Sequence, residues 1–208
     1  MKKFISIAAV LSCLTTTSTP AMATTMVELS TNQMVDLSNA IVRGVITEIW
    51  TEEDRNGVVW TRAQLEVSQT LKGNADIKVY IVDQIGGTFG GSVTKVGGTA
   101  RFSQGEEGIF FLETIDNGRT ITVGLSQGKF TARMDPYSQE LIAQRYAPPP
   151  RQKYDHRFIP LPKEEKRLYL SDLIEQIEDR VEQGWDGKPI TGANMKRLQE
   201  INAREVTR

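Results

Sequence analysis

The stretch Val59–Lys72, "VWTRAQLEVSQTLK", alternates apolar and polar residues with a period of two. Only an extended strand sends successive side chains to opposite faces, so this pattern demands a half-buried β-strand. Val59, Thr61, Ala63, Leu65 and Val67 share one face, while Trp60, Arg62, Gln64, Glu66 and Ser68 share the other. A strand of that length needs partners, and its neighbours supply them. "IVRGVITEIW" (Ile41–Trp50) is rich in branched and aromatic residues, with Gly44 as a candidate bulge, and "EEDRNG" (Glu52–Gly57) predicts the connecting hairpin loop.

After the long strand, "KGNAD" turns the chain into "IKVYIVD" (Ile77–Asp83), a third strand. "EEGIFFLETI" predicts another, tied by the turn "DNG" (Asp116–Gly118) to "RTITVGLSQGKFTARM". At least five mostly antiparallel strands closing on one core predict an all-β fold, a small OB-like antiparallel barrel. Ala63, Leu65, Val67, Ile81, Ile109, Phe111 and Val123 are its expected buried residues.

Helices flank these strands. Ser30 with Gln33 reads as a capping box and Leu29 with Met34 as a hydrophobic staple, so a short N-terminal helix precedes the barrel, with Met34, Leu37 and Ile41 at helical spacing. Residues 24–144 are then one domain. Residues 145–167 form a proline-rich connector, and 168–208 a helical tail. In the tail, "LSDLIEQIEDRVEQG" predicts a helix with Ser171 as N-cap, an apolar face of Leu173, Ile174, Ile177 and Val181, and Gly184 just past its end. A second, weaker helical pattern runs from Thr191 to Glu205.

Residues 1–23 carry the marks of a signal peptide. Lys2 and Lys3 form a positive start, Phe4–Leu14 an apolar stretch too short to anchor in a bilayer, and Ala21–Ala23 the small-residue cleavage site. The expected address is periplasmic or secreted, with no transmembrane segment in the mature chain. Lipidation of Cys13 is the alternative, and the site at Ala23 competes with it. Cys13 is the only cysteine, so cleavage removes every thiol and with it any disulfide, cysteine nucleophile or cysteine-bound metal. The full chain has a formal net charge of −1 and no basic stripe, which argues against nucleic acid as a partner.

"GGTFGGSVTKVGGTARF" (Gly86–Phe102) is the most unusual segment. It superficially resembles glycine-rich phosphate loops. A P-loop, however, needs Gly-Lys-Ser/Thr opening a helix, and the dinucleotide fingerprint needs a following helix. Strand-like residues follow here, so the glycines are expected to serve the backbone, in a long crossing loop. Gly86, Gly87, Phe89, Gly90, Gly91 and Lys95 form a candidate interaction loop rather than a cofactor site, and no cofactor is expected.

Other chemical candidates are weaker. Ser92-Val-Thr-Lys95 matches the S-x-x-K of penicillin-binding enzymes, but glycines replace the helix that motif requires. His156, the only histidine, lies in the connector and reads as a solvated linker residue. Glu106 and Glu107 offer paired carboxylates, although beside Gly105 they look like turn and edge charges. Trp50, Trp60 and Tyr80 are expected to share an outer face beneath the C-terminal helix.

Taken together, "AIVRGVITEI", "LEVSQTLKG", the double-glycine loop, "FSQGE" (Phe102–Glu106) and "QGKF" (Gln127–Phe130) resemble a family of exported bacterial proteins with no established biochemical activity. That resemblance covers roughly residues 28–135 and implies a fold and an address, not a reaction. More remotely, the strand plan ending its second strand in Lys72-Gly73 is similar to netrin-like modules, which include the tissue inhibitors of metalloproteinases. Their chelating N-terminal cysteine has no counterpart at Thr24-Thr25, so only the barrel carries over. The expected function is a non-enzymatic binding or protein-interaction module whose partner is another envelope or extracellular protein. A loop-acting protease inhibitor and a small carboxylate-based hydrolase are the alternatives.

Overall fold

The computed structural model describes residues 28–145 and 168–184. The signal-like segment with Cys13, most of the proline-rich connector with His156, and the second tail helix lie outside the described residues. The elements are α1 (Thr31–Leu37), β1 (Ala40–Glu53), β2 (Val59–Lys72), β3 (Val79–Ile85), β4 (Gly87–Phe89), β5 (Ser92–Thr94), β6 (Glu107–Thr114), β7 (Thr120–Thr122), β8 (Lys129–Met134), β9 (Leu141–Arg145) and α2 (Leu170–Glu182).

The fold is mostly β. Strand order in the main sheet is β1-β2-β3-β7-β6-β8-β9, and β1 also pairs with β6, so five strands curl into a ring from which β8 and β9 extend. The seam between β3 and β7 is a single parallel pair, Val82 with Thr120, which leaves the ring only partly closed. Every other pairing in the sheet is antiparallel. Gly44 sits at an irregularity of the β1–β2 register, where a Cβ would stand 2.3 Å from the Glu66 carbonyl oxygen. That position admits only hydrogen, because the strands are pressed together at the bend.

There are two cores, not the single one expected. Inside the ring, Ala40, Val42, Ile46, Ala63, Leu65, Val82, Phe110 and Leu112 pack together. Outside it, α1 and α2 lie over β6, β8 and β9, burying Met34, Leu37, Ile41, Ile109, Phe111, Val123, Phe130, Leu173 and Ile177. Strand β6 is therefore covered on both faces, which is why "GIFFL" is continuously apolar. Ile81 is only half-buried, and the inward residue of β3 is Val82. Val67 is also half-buried, packed at the border of the inner core.

Helix α1 keeps the expected cap. The Gln33 backbone N–H donates to the Ser30 hydroxyl oxygen at 3.3 Å, and the Ser30 N–H to Gln33 Oε1 at 2.9 Å. Helix α2 begins two residues earlier than expected. Its N-cap is Tyr169, which makes no side-chain capping bond, and Ser171 lies inside the first turn with its hydroxyl directed to Asp172. The apolar face is the one expected, with Ile174 and Val181 packing beside the fully buried Leu173 and Ile177. A bidentate ion pair from Arg180 to Asp36, at 2.7 and 2.9 Å, ties α2 to α1.

Candidate functional site

The glycine-rich segment is a hairpin and not simply a long crossing loop, and a short strand at Ser92–Thr94 overlaps the stretch Val93–Val96 that reads as strand-like. Gly87, Thr88 and Phe89 of β4 pair with Thr94, Val93 and Ser92 of β5. Gly90 and Gly91 make the two-residue turn, with φ of +56° and +82°. Positive φ at both central positions gives the twist that joins adjacent antiparallel strands, and glycine adopts it without strain. Strand β4 is pinned to the ring: the Gly86 N–H donates to the Val59 carbonyl at 2.8 Å, the Thr61 hydroxyl to the Gly86 carbonyl at 2.7 Å and the Thr51 hydroxyl to the Thr88 carbonyl at 2.7 Å. The outer edge of β5 pairs with no strand among the described residues.

The hairpin carries apolar side chains into solvent. Phe89 is 40% exposed, Val93 60% and Val96 37%. From Val96 the chain folds back through Gly97–Phe102, and an open groove of about 600 Å³ lies between this return and the hairpin. Lys95 and Arg101 are the only charged residues lining it. The candidate loop residues are thus brought together on one projecting arm, in a setting with no helix N-terminus to face an anion.

The two short motifs meet beneath that arm through Glu106 and Lys129, 23 residues apart in the chain. Lys129 of "QGKF" is buried and its ammonium lies 2.6 and 2.7 Å from the two carboxylate oxygens of Glu106 of "FSQGE". It also donates to the Arg101 carbonyl and sits 5.4 Å from the centre of the Phe102 ring. The Thr131 hydroxyl and the Ser103 N–H complete the shell of Glu106. All three ammonium donors are satisfied, so a charge in a dry site is tolerated. Burial pushes the Lys129 ammonium down from its ordinary pKa, and the Glu106 hydrogen bond and charge pull it back. Gln127 of the same motif accepts the Leu29 N–H at 2.8 Å, so one short stretch holds both the return loop and the entry to α1. Gly108, opposite, has the Phe130 carbonyl oxygen 2.1 Å from where a Cβ would stand, so the two motif strands cross in near contact.

The tryptophans have a different role from the one expected. Trp60 lies beneath the Arg119 guanidinium at 4.4 Å and Trp50 beneath that of Arg62 at 5.5 Å, while α2 packs against α1, β9 and part of β2 in an apolar cluster that neither tryptophan joins. Tyr80 packs against the inner core instead of joining them. Both arginines reach Asp83, which is 2% exposed, at 2.8 and 3.0 Å, and both reach Glu52. Burial raises the Asp83 pKa, and the two guanidinium charges work against that rise. Asp54 organises the β1–β2 turn by accepting the Val58 and Asn56 N–H groups and the Trp60 indole N–H. Those bonds hold its carboxyl below the ordinary range. This ring of two arginines and two carboxylates is closed on itself and braces three strands. Asp83 also borders a small cavity of about 110 Å³ with Trp60, Ile115 and Ile121, but its carboxylate is taken up by the two arginines.

The catalytic candidates do not assemble. Glu106 is tied to Lys129, and Glu107 pairs with Arg43 at 2.6 Å. Ser92 is on an exposed strand, so no helix sets Ser92 and Lys95 one turn apart. Among the described residues no group of three or more His, Cys, Asp or Glu side chains could hold a metal ion. No helix among them is long and apolar enough to cross a membrane. Comparison with protein-family models and with curated proteins finds no match for this chain.

Proposed function

We propose that this protein is an exported, non-enzymatic interaction module that binds a protein partner of the cell envelope through the β4–β5 hairpin. One observation carries the reading. Of the seven large apolar side chains exposed on the described surface, three (Phe89, Val93 and Val96) fall within eight consecutive residues of one projecting arm. Phe89 and Val93 sit on opposite faces of the hairpin, so the arm presents apolar surface on both sides, and apolar surface exposed on one projecting element marks a contact region. The paired carboxylates considered as acid and base fit the same reading, because Glu106 is engaged by Lys129 and Glu107 by Arg43 in ion pairs that hold the fold. Export rests on the signal-like residues 1–23, and agrees with the resemblance to exported bacterial proteins.

The same proposal includes the barrel type. A partly open ring in the order β1-β2-β3-β7-β6 and back to β1 supports an OB-type plan, with the β4–β5 arm inserted between the third and fourth ring strands. In this plan the arm is an addition to the barrel and is free to be shaped for a partner.

The test is co-purification from gently solubilised envelopes, comparing the wild type with a Phe89→Ser/Val93→Ser variant of unchanged melting temperature. The reading expects a partner retained at stoichiometric level by the wild type and lost by the variant. Equal recovery on both would place the contact elsewhere. A partner identified as a protease, and inhibited by the wild type alone, would make the same arm an inhibitory loop.

A further inference from the structure

The arm also says what kind of segment it accepts. Resting on the docking role just described, we infer that the groove beneath β4–β5 takes an extended peptide that alternates apolar and acidic residues and lies along the free edge of β5. Three observations combine. First, β5 pairs only with β4, so the other edge of Ser92–Thr94 offers backbone donors and acceptors that no strand uses. At three residues this edge pairs with only a short length of added strand, so the groove beside it must supply most of the contact. Second, the groove wall supplies apolar surface from Val93, Val96 and Phe102, and Gly97 has nothing within 4 Å of the place a Cβ would occupy, so a backbone can come close.

Third, the charge is one-sided. Residues 84–105 contain Lys95 and Arg101 and no Asp or Glu, in a chain whose acidic residues outnumber its basic ones. Lys95 is exposed and makes no ion pair among the described residues. A carboxylate on the incoming strand meets that ammonium without displacing an existing partner. The alternation follows from strand geometry: residues facing the groove wall are apolar, and those between them face the lysine at the rim. A lipid surface would satisfy the charge and the apolar tip. It has no backbone to pair with β5 and no shape to fill a concave groove, so the peptide is the better match.

The peptide's acidic residues should set its rate of capture and its specificity more than its total affinity, as charges at a rim do. The anchor below makes the recognition possible. Lys129 holds the Arg101 carbonyl, and Glu106 the Ser103 N–H, so the far wall of the groove is fixed before the peptide arrives.

Selection of a random twelve-residue display library on the full mature protein tests the inference. Selected peptides are expected to be enriched in Asp or Glu at alternate positions between apolar residues. A synthetic copy of the leading peptide should associate with Lys95→Glu at least about tenfold more slowly than with the wild type at low salt. Selected peptides without acidic residues, or association unchanged by Lys95→Glu, would overturn the acidic-peptide inference and leave the docking role standing. Peptides that bind the Phe89→Ser/Val93→Ser variant as well as the wild type would overturn the docking role itself. Vesicles of phosphatidylglycerol that bind the wild type in a Lys95-dependent way, with no peptide selected, would assign the arm to lipid instead.

Discussion

Replacing Lys129 by Met removes a cation whose every donor is engaged, and the cost can be worked from its surroundings. The ammonium contacts both Glu106 oxygens and the Arg101 carbonyl, and the two side chains are only 5% and 12% exposed. Methionine roughly replaces the stem, so little apolar contact is lost. What remains is a buried carboxylate with two hydrogen bonds, from Thr131 and Ser103, and no counter-charge. Removing one partner of a buried pair typically costs about 3–5 kcal/mol. The surviving hydrogen bonds put this case near the lower end. With a urea m-value of about 2 kcal/mol/M, the unfolding midpoint should fall by about 1.5 M. Urea titration followed by the fluorescence of Trp50 and Trp60 reads the shift. Adding Glu106→Gln to Lys129→Met removes the stranded charge, so the double variant should recover much of the loss. A single-variant shift below about 0.5 M, or a double variant worse than the single, would refute the view that this pair is an anchor in a dry site.

Two further outcomes follow from the same structure. Gly108→Ala should cost about 3 kcal/mol, since a methyl would meet the backbone carbonyl oxygen of Phe130 on the paired strand. Gly90→Ala should cost only about 1–2 kcal/mol, because its φ of +56° is strained for alanine but the space around it is open. Denaturant melts that reverse this order would mean the hairpin turn, not the motif crossing, is the tighter contact. Glu113 is a buried carboxyl that burial alone holds above its ordinary pKa. A raised acid pKa favours the folded state while the group is protonated, so stability from this group is present below the ordinary glutamate value and lost as pH rises through the raised one. Glu113→Gln should therefore be more stable than the wild type at pH 7, with the difference vanishing near pH 4. A constant difference across that range would show that Glu113 finds a partner when charged.

The features legible in the sequence were those written locally. The Ser30–Gln33 cap, the alternation along β2 and the apolar face of α2 each lie within a few residues, and each is present. "IKVYIVD" was ambiguous, because apolar residues fall on both parities, and only the partners of β3 put Val82 inward and Ile81 out. The single-core expectation failed for a related reason: "GIFFL" can serve one thick core or two thin ones, and α1 with α2 decide for two. Ser171 has the chemistry of an N-cap, but Leu170 is drawn into the core and starts the helix earlier. Trp60 gave no sign of Arg119, nor Glu106 of Lys129, since these partners meet only after the sheet has closed. The motif residues stood out in the sequence without revealing that their purpose is mutual contact.

The central claim is that the exposed arm touches a protein partner in the cell. A photo-crosslinking amino acid placed at position 93, in living cells of the source organism, tests it most directly, with position 69, an exposed residue near the end of β2, as the control. The account predicts a discrete protein adduct at 93, absent at 69 and lost when Phe89→Ser is added. No adduct at 93, or one formed equally at 69, would contradict it.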